Sequence, residues 1–320
     1  MSDNVKVLIV GAGPMAVAYA KALETQNTPF TCVGRSEISA RAFYDEVGCE
    51  AIHGGVEQFL SMPHQFEQAI VCVPVHNLAE VTLTLIHAGI KRILVEKPAA
   101  LCSKEISEVE LNAKKTGTEV YVAYNRRFYA STIAAEKMIC EDGRVDSFCF
   151  EFTEWTNQLI EMNIPATQLE YWFFVNSSHV TDLAFFLGGT PKTISCFTKG
   201  PQWAFGPSRA YTGAGISDSN ALFSYHANWA SPGRWGLEVL TSKRRLIFRP
   251  MEQLHVQRLN SVSIDKVEID DQLDKDYKPG LFLQTKAFLT GENAHKIQTI
   301  NKQAELFGFY HRMREGDAHD

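Results

Sequence analysis

The stretch Val5-Lys6-Val7-Leu8-Ile9-Val10-Gly11-Ala12-Gly13-Pro14-Met15-Ala16 constrains the fold more than any other part of the chain. A short apolar run rich in β-branched residues feeds a glycine turn, and the turn opens an alanine-rich helix. Gly11 permits the tight turn, Gly13 lets the main chain approach a pyrophosphate, and the small Ala16 keeps the helix close to the strand. The free N–H groups of the helix start, with the positive end of its dipole, then face the phosphates. A Gly-x-Gly-x-x-Ala triplet alone recurs by chance in glycine-rich loops, and an ordinary strand-to-helix turn without a ligand is the competing reading. Its place directly after a buried-type strand gives the triplet its weight.

After the turn, a helix from Pro14 to Leu23 stops near Asn27-Thr28-Pro29, and Phe30-Thr31-Cys32-Val33 reads as a second strand ending in Gly34-Arg35-Ser36. In dinucleotide folds the end of this strand selects the cofactor, because a carboxylate there accepts from the ribose 2′-OH and repels a 2′-phosphate. A guanidinium and a hydroxyl suit a phosphate dianion, so Arg35 and Ser36 favour NADP over NAD. An arrangement in which Arg35 stacks on adenine and Glu37 takes the ribose stays open, and with it NAD.

The rhythm then repeats. A short strand near Cys49-Glu50-Ala51-Ile52 and a helix near Val56 to Ser61 precede the apolar run Ala69-Ile70-Val71-Cys72-Val73-Pro74, which reads as a central parallel strand covered on both faces. A helix from Leu78 to Ala88, a strand Arg92-Ile93-Leu94-Val95 leading into Glu96-Lys97-Pro98, and a helix from Ser103 to Thr116 with Ser103 as its cap follow. The strand Glu119-Val120-Tyr121-Val122 closes the first domain. This alternation demands a parallel sheet with right-handed crossovers, whose strand ends gather Gly11, Pro74 and Lys97 along one edge.

Beyond Tyr124-Asn125-Arg126-Arg127-Phe128 the pattern changes. A helical stretch from Ser131 to Cys140 leads into the alternating strand Ser147 to Phe152, and further strands are expected at 193–198, 221–229, 235–240, 244–248, 254–259 and 262–269. A helix from Ser178 to Phe186 covers one face of a mostly antiparallel sheet. The fold class is thus α/β: an N-terminal Rossmann dinucleotide-binding domain over 1–123, and a C-terminal α+β domain with a large mostly antiparallel sheet over 124–320.

Bulk composition narrows the function classes. With 31 basic against 37 acidic residues the net charge is -6, which offers no general field for nucleic acid or an anionic membrane. No apolar run approaches the roughly 20 residues needed to span a bilayer, and no signal sequence is evident, so a cytoplasmic protein is expected. Seven cysteines lie scattered without a Cys-x-x-Cys pair, and no His-x-x-x-His spacing occurs, so neither a zinc site, a disulfide framework nor any other metal is expected. Cys32, Cys72, Cys149 and Cys196 fall in strand-like runs and read as small buried hydrophobes.

Together, Gly11-Ala12-Gly13-Pro14-Met15-Ala16, Val95-Glu96-Lys97-Pro98, Tyr124-Asn125-Arg126-Arg127-Phe128 and His179-Val180-Thr181-Asp182 with Gly188 resemble the glucose-fructose oxidoreductase, inositol dehydrogenase and MocA family, abbreviated Gfo/Idh/MocA. The resemblance implies a hydride transfer between a nicotinamide cofactor and a carbonyl or alcohol carbon of a sugar or related small molecule. It places Gly11, Gly13, Pro14, Met15, Arg35, Ser36, Val73, Pro74, Glu96 and Lys97 at the cofactor, with Lys97 also at the reacting oxygen. His179 matches the family histidine, so Lys97 and His179 are the expected catalytic pair, and Tyr124 and Arg126 join them as substrate contacts. Arg126 is a candidate for an anionic substrate group, whereas Arg127 equally suits an exposed interdomain position. Physically, an ammonium beside the nicotinamide stabilises an alkoxide or donates a proton, and partial burial lowers its pKa toward the working range.

The sequence departs from the family at one point. An Asp normally stands four residues before the His, and here the place holds Val175, followed by Asn176-Ser177-Ser178. Asp182 lies on the same helix face as His179, and the resemblance implies that it serves structural support. Two alternatives stay open on this account: an imine reductase, in which one proton donor suffices, and a member that keeps the cofactor fold, has lost catalysis and binds a metabolite. The runs Gly233 to Glu238 and Leu246 to Glu252 are similar to the family branch met in surface-polysaccharide and nucleotide-sugar biosynthesis. Trp155, Trp172, Trp203, Trp229 and Trp235 offer faces for a sugar ring, although core or interface positions suit most of them. The apolar strands 221–225 and 235–240 offer more surface than one helix covers, so a homodimer or homotetramer packed through these sheets is expected.

Overall fold

The computed structural model describes residues 6–63, 65–200 and 207–317, so Val5 of the opening strand and Trp203 lie outside the described residues. The chain divides into two compact units. The first takes Met1–Asn125 and, from late in the chain, Leu273–Ala304. Its strands β1 (Val7–Val10), β2 (Phe30–Val33), β3 (Ala51–Ile52), β4 (Gln68–Val71), β5 (Arg92–Glu96) and β6 (Glu119–Ala123) are all parallel and lie in the order 3-2-1-4-5-6. This is the Rossmann order, and its direction reverses between β1 and β4, where sheets of this kind bind ligands at the carboxyl ends of the strands. Both central strands are buried along their whole length, as two covered faces require.

Three details differ from the sequence reading. The sheet does not stop at β6, because a two-residue strand, Gln298–Thr299, pairs antiparallel with it. A pair that short carries no periodicity to read. Ser103 is the first residue of the helix Ser103–Thr116, not its cap. Cys102 holds the cap position, and the Glu105 carboxylate instead accepts from the Leu101 N–H at 2.9 Å. Finally, a helix Glu37–Val47 that the sequence reading did not anticipate begins directly after β2, with the Ser36 hydroxyl accepting from the Ser39 N–H as its cap.

The late segment is tied to the first helix, Pro14–Thr25. Helix Leu281–Thr290 packs on it, Gln26 donates to the Phe282 carbonyl at 3.3 Å, and the Tyr277 hydroxyl donates to Thr25 Oγ1 at 2.8 Å.

The second unit takes Arg126–Gln272 and Glu305–Asp320. Its strands are β7 (Ser147–Glu151), β8 (Pro191–Lys199), β9 (Ala210–Ser217), β10 (Leu222–Asn228), β11 (Gly236–Leu240), β12 (Arg244–Phe248), β13 (His255–Arg258) and β14 (Ile264–Lys266). They lie in the order 14-13-12-11-7-10-9-8, and every neighbouring pair is antiparallel except β7 with β10. The mostly antiparallel sheet expected from the sequence is therefore present. Alternation sends Phe148, Phe150, Phe223 and Tyr225 to one face, where Phe185 of the helix Ser178–Gly188 meets Phe148, Phe150 and Phe223 edge-on. Tyr310 stacks on Phe185 from the last helix, Ile300–Glu315.

This packing corrects the reason given for self-association. Of the apolar residues of the two strands singled out above, Phe223, Tyr225, Leu237 and Val239 are buried, whereas Leu222 is exposed. Exposed on the other face are Phe197, Ile216 and Leu222, the last two being cross-strand partners. Cys149 points to that face and is half-buried rather than buried, whereas Cys32, Cys72 and Cys196 are buried. All seven thiols are free.

Candidate active site

The nucleotide-binding region of the first unit is built by β1, β2 and the helix between them. Gly11 has φ +114°, and a side chain there would run into the Cys72 carbonyl at the end of β4. Gly13 has open space where its side chain would stand, which is the cradle a pyrophosphate needs in front of a helix start. Pro14 occupies the first helical position and sacrifices no hydrogen bond there. Gly34 also has a packing reason: a Cβ would come within 2.9 Å of Ala12 Cβ. The residues present thus fit a dinucleotide. Arg35 and Ser36 are exposed at the end of β2, the Ser36 hydroxyl sharing its capping role with a 3.0 Å contact to Ser39 Oγ. Val73 and Pro74 follow β4, at the same carboxyl edge of the sheet.

Lys97 follows β5 directly and begins a turn that several groups hold. The Ala99 N–H returns to the Glu96 carbonyl at 3.0 Å, and the Lys97–Pro98 peptide is cis. Tyr19, on the first helix, donates its hydroxyl to Glu96 Oε1 at 2.8 Å. Burial pushes the Glu96 carboxyl up, against the charges of Lys97 and Lys278 and the Tyr19 hydrogen bond, which hold it down.

From the late segment, the fully buried Gln303 donates to the Pro98 carbonyl at 3.2 Å and to the Tyr124 hydroxyl at 3.0 Å. Tyr124, expected as a substrate contact, is 1% exposed and braces this turn. Lys278, also from the late segment, brings its ammonium to 2.9 Å from Met15 Sδ in the first turn of the nucleotide-facing helix. No local motif announces Gln303 or Lys278, since both act at a distance of more than 170 residues along the chain.

The second unit carries the remaining expected residues. Arg127, for which an exposed interdomain position was one option, is buried and grips the fully buried Asp182 with a fork: Nε to Oδ2 at 2.8 Å and Nη2 to Oδ1 at 2.6 Å. Asp182 therefore supports structure. His179, buried on the same helix, stands 6.1 Å from Trp235, ring centre to ring centre. Immediately before that helix the chain makes a π-helical turn, Phe173–Ser177, which contains Val175. Such turns shift the register of the residues that follow them.

A carboxylate that the sequence reading missed lies at this turn. Glu154, 2% exposed on the segment after β7, accepts from Ser177 Oγ at 2.7 Å and Asn176 Nδ2 at 3.0 Å. It also accepts from Trp235 Nε1 at 3.3 Å and pairs with Arg234 at 3.5 Å. Burial pushes its carboxyl up, opposed by Ser177, Arg234 and Asn176. Arg126 lies over the ring of Trp235, 4.8 Å from its centre, and 5.6 Å from that of Tyr129. Among the described residues no three His, Cys, Asp or Glu side chains are placed to hold a metal ion, and no helix is long and apolar enough to cross a membrane.

Comparison with known proteins agrees with this architecture. Residues 5–124 match the model of the Gfo/Idh/MocA group, described as an oxidoreductase family with an NAD-binding Rossmann fold. At the level of sequence no curated protein matches the chain. Solved structures with the same fold include a levoglucosan dehydrogenase in complex with NADH, 17% identical with a TM-score of 0.79 over 97% of this chain and 96% of that one. A UDP-N-acetylglucosamine 3-dehydrogenase from Acidithiobacillus ferrooxidans is 13% identical, with a TM-score of 0.75 over 97% and 96%. An oxidoreductase from Agrobacterium radiobacter in complex with NAD+, L-tartaric acid and magnesium is 14% identical, with a TM-score of 0.77 over 98% and 96%. The Gly11 cradle, the Rossmann strand order and the matched residues lead to one assignment: residues 5–124 form an NAD-binding Rossmann domain of the kind found in the Gfo/Idh/MocA oxidoreductases.

Proposed function

We propose that this chain oxidises or reduces a carbonyl or alcohol carbon of a sugar or sugar derivative, with a preference for NADP, and that it works in the cytoplasm as a homodimer or homotetramer. The observation that carries the reading is the braced Lys97 turn, with Glu96, Gln303 and Tyr124 fixing the backbone from which the ammonium projects. Similarity in fold to a levoglucosan dehydrogenase and a UDP-N-acetylglucosamine 3-dehydrogenase supports the sugar class. A nucleotide-linked sugar is the finer expectation.

In this reading a bound nicotinamide supplies or takes the hydride, and the protein supplies orientation and the proton. Lys97 delivers a proton to the oxygen as the carbonyl is reduced, and takes it back in the reverse direction. His179 hydrogen-bonds the substrate, and Arg126 contacts it as well. Gly11, Gly13, Pro14, Met15, Val73, Pro74 and Glu96 line the cofactor, while Arg35 and Ser36 receive the 2′-phosphate. Lys278 adds a cation beside the first helical turn. Val175 contributes shape alone.

The test is single-turnover oxidation of bound NADPH against keto-sugars, nucleotide-linked keto-sugars and cyclic imines. Turnover of keto-sugars supports the proposal, turnover of imines alone moves the chain to C=N reduction, and no reaction with any compound supports a binding protein.

A further inference from the structure

Arg126 and Arg127 are sequence neighbours with opposite situations. Arg127 spends its fork on Asp182, whereas Arg126 makes no side-chain hydrogen bond or ion pair among the described residues, and its Nε is shut off from solvent with no acceptor. The main chain at Arg126 is pinned, its carbonyl accepting from Thr132 Oγ1 at 2.7 Å and from the Tyr129 N–H at 3.2 Å. Its guanidinium shares the Trp235 ring with Arg234, which stands 4.4 Å from that ring centre and 4.6 Å from that of Trp155. A buried polar donor without an acceptor is rare in a native protein and commonly marks a place where a ligand completes the hydrogen bonding.

The local charges say what kind of ligand. Glu154 lies nearest Arg234, and its oxygens are already occupied by Ser177, Asn176 and Trp235 as well. Glu252 is exposed, and its charge favours the Arg126 cation from a distance, without an ion-pair contact among the described residues. Among the described residues no carboxylate makes hydrogen-bonding contact with Arg126, whose planar group binds a carboxylate in two parallel hydrogen bonds. A phosphate dianion would bring two negative charges into the field of Glu154, so the balance favours a single carboxylate. The faces of Trp235 and Tyr129 beside it suit a sugar ring, and His179, assigned above to the substrate, lies against the same Trp235.

We propose that Arg126, set on Trp235 and Tyr129, is a carboxylate-recognition site, and that the substrate is a sugar bearing a carboxylate, of the uronate class. This rests on the sugar oxidoreductase reading.

The experiment compares affinities by calorimetry in the protein saturated with its nicotinamide dinucleotide, for two matched pairs: glucuronate against glucose, and UDP-glucuronate against UDP-glucose. Glucose 6-phosphate serves as the phosphate probe. We expect the carboxylated member of at least one pair to bind tenfold or more tightly than its neutral partner. Arg126→Gln should lower that ratio at least tenfold, and Arg126→Lys should retain part of it, with melting curves confirming that both variants are folded. Equal affinities within both pairs, a ratio unmoved by Arg126→Gln, or tighter binding of the phosphate probe would overturn the proposal. Turnover separates the two readings: neutral sugars reduced or oxidised as well as uronates would sink this inference and leave the oxidoreductase, while a carboxylate preference with no turnover of any sugar would do the reverse.

Discussion

The Arg127–Asp182 pair makes the sharpest stability prediction, because its two members differ in what they can do when left alone. Both are buried, the pairing is bidentate, and the Phe186 ring closes one side of the guanidinium at 4.8 Å. Asp182→Asn removes the counter-charge and strands a guanidinium that cannot lose its proton, so the cost should be about 3–5 kcal/mol at any pH between 5 and 8. For a unit of this size that corresponds to a fall in Tm on the order of 10 °C.

Arg127→Met strands Asp182 instead, and a carboxyl can escape by protonation. Burial already pushes Asp182 above the ordinary 3.8 even with Arg127 present, and losing the arginine pushes it further. A folded-state pKa above the unfolded value means the folded state holds a proton the unfolded state has lost, so stability falls as pH rises through the window between them. Lowering the pH from 7 to 5 should therefore return up to about 2–3 kcal/mol to Arg127→Met, at about 1.4 kcal/mol per pH unit. The nearby Arg126 charge, which favours the Asp182 anion, limits that gain. Urea unfolding of both variants at pH 5, 6 and 7 measures it. A cost below about 1 kcal/mol for Asp182→Asn, or an Arg127→Met deficit that does not shrink on acidification, would refute the argument.

Lys97→Met should keep NADPH binding and lower turnover by about a hundredfold or more, the scale of a lost general acid; equal single-turnover rates for the two proteins would remove Lys97 from that role. Arg35→Ala should erase most of a preference for NADPH over NADH, at a cost of about 1.5–3 kcal/mol in NADPH affinity by calorimetry, and equal affinities in the unaltered protein would contradict the assignment of Arg35 and Ser36. Burial pushes the Cys32 thiol up to about 12, so its thiolate is scarce below that pH, and iodoacetamide followed by mass spectrometry should label the exposed Cys102 and Cys140 well before Cys32. Light scattering at micromolar concentration should find a dimer or tetramer, and a monomer would count against association through the exposed face of Phe197, Ile216 and Leu222.

The first unit was legible because its strands are continuous apolar runs separated by helices, the pattern a parallel sheet covered on both faces imposes. The nucleotide turn was legible for a different reason: Gly11 and Gly13 answer a local steric demand, so the demand is written locally. The second unit was harder to read. Strand β9, Ala210–Ser217, was not anticipated because Gly213 and Gly215 resemble turn residues. They stand in the strand since the rings of Tyr225 and Phe223, their partners across the ladder, occupy the space a side chain would need. Gln303, Lys278 and Glu154 have no local pattern at all, because what selects them is an unsatisfied group on a distant element. Tyr124 is a polar side chain in a suggestive motif, and its hydroxyl is engaged in the interior by Gln303.

The carboxylate absent at Val175 can now be weighed against the one present at Glu154. The two positions are close in the fold, since Glu154 is held by the side chains of the next two residues, Asn176 and Ser177. They are not chemically equivalent. A carboxylate that shuttles protons or charge-balances a histidine needs an oxygen lone pair facing the reacting groups, and the Glu154 oxygens face Ser177, Asn176, Trp235 and Arg234. Those bonds instead lock the π-helical turn that leads into His179, and hold the indole on which Arg126 lies. Glu154 is therefore a positioning residue: it sets where His179 and Arg126 stand without touching the proton. Of the groups proposed at the substrate, Lys97 and His179 have the chemistry of proton donors, and Lys97 follows a strand directly into a turn held by buried hydrogen bonds. In the proposed function, proton handling falls to the lysine and the histidine orients the substrate, a division of labour that a family-like Asp at 175 would not require.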